Sequence, residues 1–159
     1  MANASTHGIT IGLISDTHGL LRPEAVQALA GVQRIIHAGD IGGPEILEAL
    51  RAIAPLDVVR GNNDKEAWAQ KIPADIAFES HGVRIHVLHD IGELSVDPEA
   101  AGFQVVVTGH SHKPGIAERN GVLFVNPGSA GPRRFNLPVA LAYLHIAQGS
   151  ATAQIRHIL

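Results

Sequence analysis

A chain of 159 residues with 45% hydrophobic content and a formal net charge of −3 has room for one domain with a sizeable core, and nothing in that balance marks disorder or a global basic footprint for nucleic acid. There is no cysteine, which excludes disulfides and thiolate metal sites and fits an intracellular protein. No run reaches the roughly 18 apolar residues that a membrane-spanning helix needs.

Taken in chain order, Met1 to His7 is short and polar and reads as a flexible tail, not a signal peptide. The expected location is therefore the cytoplasm. Ile9–Ser15 is an apolar run bounded by turn signals and predicts a buried strand. Pro23–Leu29 predicts a short helix with proline in its first turn. Arg34–Ala38 is a second strand, and Pro44–Ile53 a second helix with Ile46, Leu47, Leu50 and Ile53 on one face. Leu56–Val59 is a third strand. Strand–helix–strand alternation implies parallel pairing through crossovers.

The second half changes character. Ile76–Ser80 and Val83–Leu88 flank His81-Gly82, Ile116–Arg119 and Val122–Val125 flank Asn120-Gly121, and Val139–Ile146 and Thr152–Ile158 flank Gln148-Gly149. Each pair predicts a hairpin, with Asn-Gly the strongest such signal. Gln104–Thr108 is a further apolar strand. The expectation is two packed sheets with helices outside, an α/β sandwich in a single domain over residues 1–159.

Polar fragments recur at the predicted strand ends: Asp16-Thr17-His18, Gly39-Asp40, Gly61-Asn62-Asn63-Asp64, His89, and Gly109-His110-Ser111-His112, with Asn126-Pro127-Gly128-Ser129 following. Ligand sites in open α/β sheets collect at the carboxyl ends of strands. Oxygen donors mixed with imidazoles suit a pair of borderline divalent metals, not calcium or an iron–sulfur cluster. Taken singly, Asp16 with His18 reads equally as a turn aspartate and a surface histidine, and Asp40 as a turn residue before a helix. Two imidazoles at i and i+2 after an apolar strand are more specific, and recurrence at five strand ends weakens the turn reading. A carboxylate has two oxygens and can bridge two cations, which makes Asp40 the natural shared ligand. His37 reads as a core or supporting group, and His86 as facing away from Ile85 and Val87. Trp68 and Phe135 read equally as core residues or stacking platforms.

The order D-x-H, G-D, G-N-x-D, H, G-H-x-H resembles the calcineurin-like metallophosphoesterases, and the short chain with Asn126-Pro127-Gly128-Ser129 is similar to their small prokaryotic phosphodiesterase branch. The resemblance runs from Ile9 to about Ser129. It implies a four-layer α/β/β/α sandwich with two mixed sheets. It also implies one metal held by Asp16, His18, Asp40 and His112 and a second by Asp40, Asn62, His89 and His110. Asp40, Asn62 and His110 are then expected to take part in catalysis and Asn63 to meet the substrate. The cofactors implied are two divalent ions, manganese first, with iron, nickel or zinc as alternatives.

Two positions depart from the pattern. Asn63 stands where many relatives carry a histidine that assists the leaving group. Asp90 stands where glycine commonly follows the fifth-motif histidine, and either orients His89 or is a solvated turn residue, the turn being preferred. Arg133 and Arg134 read as a solvated loop ahead of substrate contacts. Asn126 and Ser129 either brace the loop of His110 and His112 or form a plain turn.

Function follows as an expectation. Two cations sharing Asp40 would acidify a bridging water, giving a hydroxide for in-line attack on a small phosphodiester, and would offset the charge that develops. Neither a membrane nor nucleic acid is an expected partner. The alternative is a non-catalytic protein-binding scaffold on the same fold, like the superfamily's retromer subunit; loss of ligands would mark it, and none is lost.

Overall fold

The computed structural model describes residues 8–159, so the expected tail, residues 1–7, lies outside them. Strands β1 (Ile9–Ile14), β2 (Arg34–His37) and β3 (Leu56–Val58) pair in parallel. Their crossovers carry α1 (Pro23–Ala28) and α2 (Pro44–Arg51). Each helix opens with its proline, where the missing N–H removes no intrahelical bond. β1 is a residue shorter than expected because Asp16 turns left-handed (φ 54°) immediately beyond Ser15.

The second sheet is built from β4 (Asp75–Ser80), β5 (Val83–Leu88), β6 (Val105–Val107), β7 (Gly115–Arg119) and β8 (Val122–Asn126). β9 (Ala140–Ala147) and β10 (Ser150–His157) return to the first sheet, where β9 pairs antiparallel with β1. The two five-stranded sheets run β10-β9-β1-β2-β3 and β4-β5-β6-β8-β7. All three expected hairpins form. His81-Gly82, Asn120-Gly121 and Gln148-Gly149 each carry two positive φ angles, the signature of the turn whose twist matches the flanking strands.

Burial explains why the apolar residues of β1 and β2 sit side by side, as in Leu13-Ile14 and Ile35-Ile36, without a polar–apolar alternation. Leu13 and Ile36 point between the sheets, against Val87, Val107 and Leu144. Their neighbours Ile14 and Ile35 point the other way, under Leu29, Leu47 and Leu50 of the helical layer. With both faces covered, alternation disappears. Each such side chain contributes on the order of 1.5–3 kcal/mol by leaving water.

The fold is an α/β sandwich of the expected type. Its layer over the second sheet is not an α-helix but a 3-10 turn (Ile91–Glu93) followed by further turns, which place Leu94 against Leu88, Val106 and Val122. Gly92, Pro98 and Gly102 in that stretch oppose a continuous helix. Among the described residues, no helix is long and apolar enough to cross a membrane.

Candidate metal centre

The parallel pairs β1–β2–β3 and β5–β6 all end at one edge of the sandwich, and their following loops carry the polar fragments. Asp16, His18, Asp40, His89 and His112 converge there. His18 Nε2 lies 3.3 Å from His112 Nε2 and 3.7 Å from both Asp16 Oδ1 and Asp40 Oδ2. His89 Nε2 lies 3.3 Å from Asp40 Oδ2 and 3.8 Å from Asp16 Oδ1, and His112 Nε2 lies 3.4 Å from Asp16 Oδ1. Two donor clusters result, Asp16–His18–His112 and Asp16–Asp40–His89, each with its donor atoms within 4.8 Å of one another. Asp16 belongs to both clusters, and Asp40, a member of the second, also lies 3.7 Å from His18 of the first.

Asn62 and His110 form the more exposed edge. His110 Nδ1 sits 3.2 Å from Asn62 Oδ1, and its ring is 5.1 Å from that of His89. The opposite nitrogen, His110 Nε2, faces Asp90 Oδ2 at 3.9 Å. Asp90 Oδ1 also accepts the Gly92 N–H at 2.9 Å. Asp90 is thus a turn residue, as preferred, and the ring it faces is that of His110.

The site is wired for a cation. Asp16 Oδ1 and His89 Nε2 are buried without a hydrogen-bond partner, a costly state that a metal ion relieves. His89 Nδ1 donates to the Ala38 carbonyl at 2.7 Å, which fixes the ring with Nε2 facing the carboxylates. Burial pushes the Asp16 carboxyl upward, more than its bond from Ser15 and the charges of His89 and His112 pull it down. Burial also opposes ionisation of Asp40, but the facing His89 ring, the Asn63 N–H and the His18 charge override it and hold Asp40 at about 2. His89 is likewise desolvated, yet Asp40 and Asp16 raise it, whereas burial lowers His112. Carboxylate oxygens with imidazole nitrogens form a donor set that fits a borderline divalent cation.

The sequence model of the calcineurin-like phosphoesterase superfamily domain matches residues 9–149. The chain belongs to that superfamily. Among curated metallophosphoesterases, a Methanothermobacter thermautotrophicus protein named as a probable metallophosphoesterase is 36% identical over 140 residues, covering 80% of this chain and 81% of its own. A phosphodiesterase of Methanocaldococcus jannaschii is 27% identical over 137 residues, covering 74% and 82%. The solved structure of an archaeal phosphodiesterase superposes with a TM-score of 0.77 at 23% identity, over 93% of this chain and 100% of its own. Vps29 from Entamoeba histolytica does so with 0.74 at 22% identity, over 94% and 99%. These two structures share the fold.

Other residues of this superfamily member complete the surroundings of the site. Asn63, expected at the substrate, donates its backbone N–H to Asp40 Oδ1 (2.9 Å) and its amide to Asp40 Oδ2 (3.1 Å). Asn126 does brace the loop of His110 and His112, through Gly109 O (2.9 Å) and Ser111 Oγ (3.1 Å). Ser129 instead donates to Asp16 O at 2.9 Å. Trp68 packs on the helical core, while Phe135 is 91% exposed. Ser15, whose hydroxyl donates to Asp16 Oδ2 at 2.7 Å, carried no sequence signal. Gly61 admits no side chain: a Cβ there would collide with Asp40 Oδ1 and the Asp40 backbone nitrogen.

Proposed function

We propose that the protein is a metal-dependent phosphodiesterase that hydrolyses a small phosphodiester. Asp16, His18, Asp40 and His112 would hold one divalent cation, and Asp40, Asn62, His89 and His110 a second. The observation that carries this reading is Asp40 Oδ2 lying between His18 and His89 beside the unpartnered Asp16 Oδ1. Two such cations, manganese first among the candidates, would when bound supply Lewis-acid chemistry, activating a water and offsetting the charge that develops in in-line displacement.

The chain's own residues do the rest. Asn63 holds both oxygens of Asp40, so the shared carboxylate keeps one orientation. Ala38 O sets the His89 ring, and Asp90 faces the outer nitrogen of His110 at the exposed edge, where a phosphoryl group enters. Side chains facing ligands in this way strengthen and orient them. Asn63 has no ionisable proton to give a leaving alkoxide, which favours diesters with good leaving groups. The cysteine-free composition accords with a cytoplasmic setting.

The test is turnover of bis(4-nitrophenyl) phosphate by protein stripped with chelator and reloaded with manganese, alongside elemental analysis. Close to two equivalents of metal and metal-dependent release of nitrophenolate are expected. Chelator-resistant turnover, or no metal uptake, refutes the proposal. The likeness to Vps29 keeps a scaffold reading in view. Full metal occupancy without turnover of diesters, monoesters or cyclic nucleotides would move the assignment there.

A further inference from the structure

The proposed ligands ride on loops that are bent hard. Asp16, His18 and Asp40 have φ of 54°, 46° and 57°, and His110 and His112 have 71° and 63°. Each left-handed non-glycine residue costs on the order of 1–2 kcal/mol and persists only where its surroundings over-determine it. The loops after β1 and β2 meet that need with backbone bonds: Asp16 N to Gly39 O, His18 N to Asp40 O and Gly19 N to Ile41 O, all 2.9 Å. The loops after β2 and β3 do not. Among the described residues their backbones share one bond beyond the strands, Val59 N to His37 O, which lies before the polar fragments begin.

Across that gap Asn63 reaches the Asp40 carboxylate itself, and Asp64 reaches the backbone that follows it. Asp64 is 4% exposed. Its Oδ1 accepts the N–H groups of Ile41 (3.0 Å) and Gly42 (3.2 Å), and its Oδ2 those of Gly61 (2.8 Å) and Ile41 (3.1 Å). Ile41 and Gly42 directly follow Asp40, and Gly61 directly precedes Asn62. One buried carboxylate therefore ties the backbone beside the shared ligand to the backbone beside the second cation's amide ligand. Charge-assisted bonds of this kind are about twice as strong as neutral ones, and Asp64 presents both oxygens to donors on two loops at once.

We propose that Asp64 is a positioning residue that sets the separation of Asp40 from Asn62 through the amides of Ile41, Gly42 and Gly61. It touches neither substrate nor cation. This rests on the metal-site assignment above and adds a directional consequence. Asp64 ties the backbone beside Asp40 to that beside Asn62, so its loss falls hardest on the second cation, which needs both. It falls less on the first, for which Asp16, His18 and His112 on the loops after β1 and β6 supply three of the four proposed ligands. Asp64→Asn is the informative change, since it keeps the shape but turns an NH₂ group against backbone N–H donors on one of the two loops.

The experiment titrates metal-free wild type and Asp64→Asn with manganese by calorimetry, and follows amide hydrogen exchange of both without metal. Outer partners of metal ligands are worth about 10–100-fold in affinity, so the weaker equivalent should fall at least tenfold while the tighter one changes little. The Gly42 and Gly61 amides should exchange faster while those of the β5–β6 core do not. Equal loss of both equivalents makes Asp64 a general stabiliser, and no loss of either makes it dispensable; each overturns the proposal. If wild type takes up no cation, the functional reading fails, and unchanged exchange at Gly42 and Gly61 then overturns the clamp independently. Should Asp64→Asn not fold, Asp64→Ser, which leaves room for a water to accept the same amides, is measured instead. Failure of both to fold makes Asp64 a folding residue and ends the assignment.

Discussion

His37 is wholly buried in β2, and its hydrogen bonds define its protonation state. Nδ1 accepts the Gly39 N–H at 3.0 Å, so the ring proton resides on Nε2 and is donated to Thr17 Oγ1, also at 3.0 Å. Thr17 Oγ1 in turn donates to Ile41 O at 2.7 Å. A second ring proton would face a donor. Burial first, then the charges of His89 and His18, lower the His37 pKa to about 3 against a weaker upward pull from Asp40.

In the unfolded chain the same ring titrates near its ordinary 6.5. Below that pH the unfolded state binds a proton that the folded state refuses, so stability is full above about 6.5 and is lost as pH falls toward about 3. At 1.36 kcal/mol per unit, acidification from about pH 7.5 to about pH 5 should remove about 2 kcal/mol through this one residue. His37→Asn retains an acceptor for Gly39 and deletes the titration. Urea unfolding of metal-free wild type and variant at the two pH values isolates it, because every other group titrates in both. The variant should be less stable at the higher pH yet lose about 2 kcal/mol less on acidification. Equal losses in the two proteins would refute the reasoning, since His37 would then protonate freely inside the fold.

Gly61→Ala should destabilise the protein by about 1–3 kcal/mol in urea, because the new methyl group displaces Asp40; it should also weaken manganese binding in calorimetry, and an unchanged midpoint would refute the contact. Asp40→Asn should cost more bound metal and more diester turnover than Asp16→Asn, since Asp40 is assigned to both cations; equal residual activity would remove it from the shared role. Asn63→His gives up the amide's bond to Asp40 Oδ2, a loss common to all substrates, but should shift the turnover ratio toward diesters with alkyl leaving groups over nitrophenyl ones, as a proton donor contributes on the order of 10²–10⁴-fold only where the leaving group is poor. An equal change on both substrates, compared at matched metal occupancy, would place residue 63 away from the leaving group.

The sequence by itself determined what depends on neighbours along the chain. Runs such as Ile9–Ile14 and Val105–Val107 had to be strands, and Asn120-Gly121 had to turn, because φ above zero is cheap for those residues and the flanking apolar stretches need a partner. The donor chemistry was legible for the same reason: an aspartate or histidine keeps its ligand atoms wherever it sits, and their recurrence after strands placed them at one edge of the sheets. Boundaries were less legible. Ser15 left β1 because Asp16 bends to meet a loop from β2, which no local signal announces.

Only the tertiary structure decided the rest. Asp16 and Asp40 are the same residue type after similar strands, yet one carboxyl is raised and the other held at about 2. The difference lies in the deeper burial of Asp16 and in the closer His89 ring and the Asn63 N–H that bond Asp40. The bond of the Asn63 amide to Asp40 has no local signal, and Ser129, open in the sequence between a brace for the histidine loop and a plain turn, donates to Asp16 O, 113 residues away in sequence. Asp64 looked like the end of a turn and became a buried joint between two loops. Partners of this kind are chosen by packing: once two sheets close over a dry core, every buried N–H and oxygen at their edge must find whatever group the fold brings within about 3 Å.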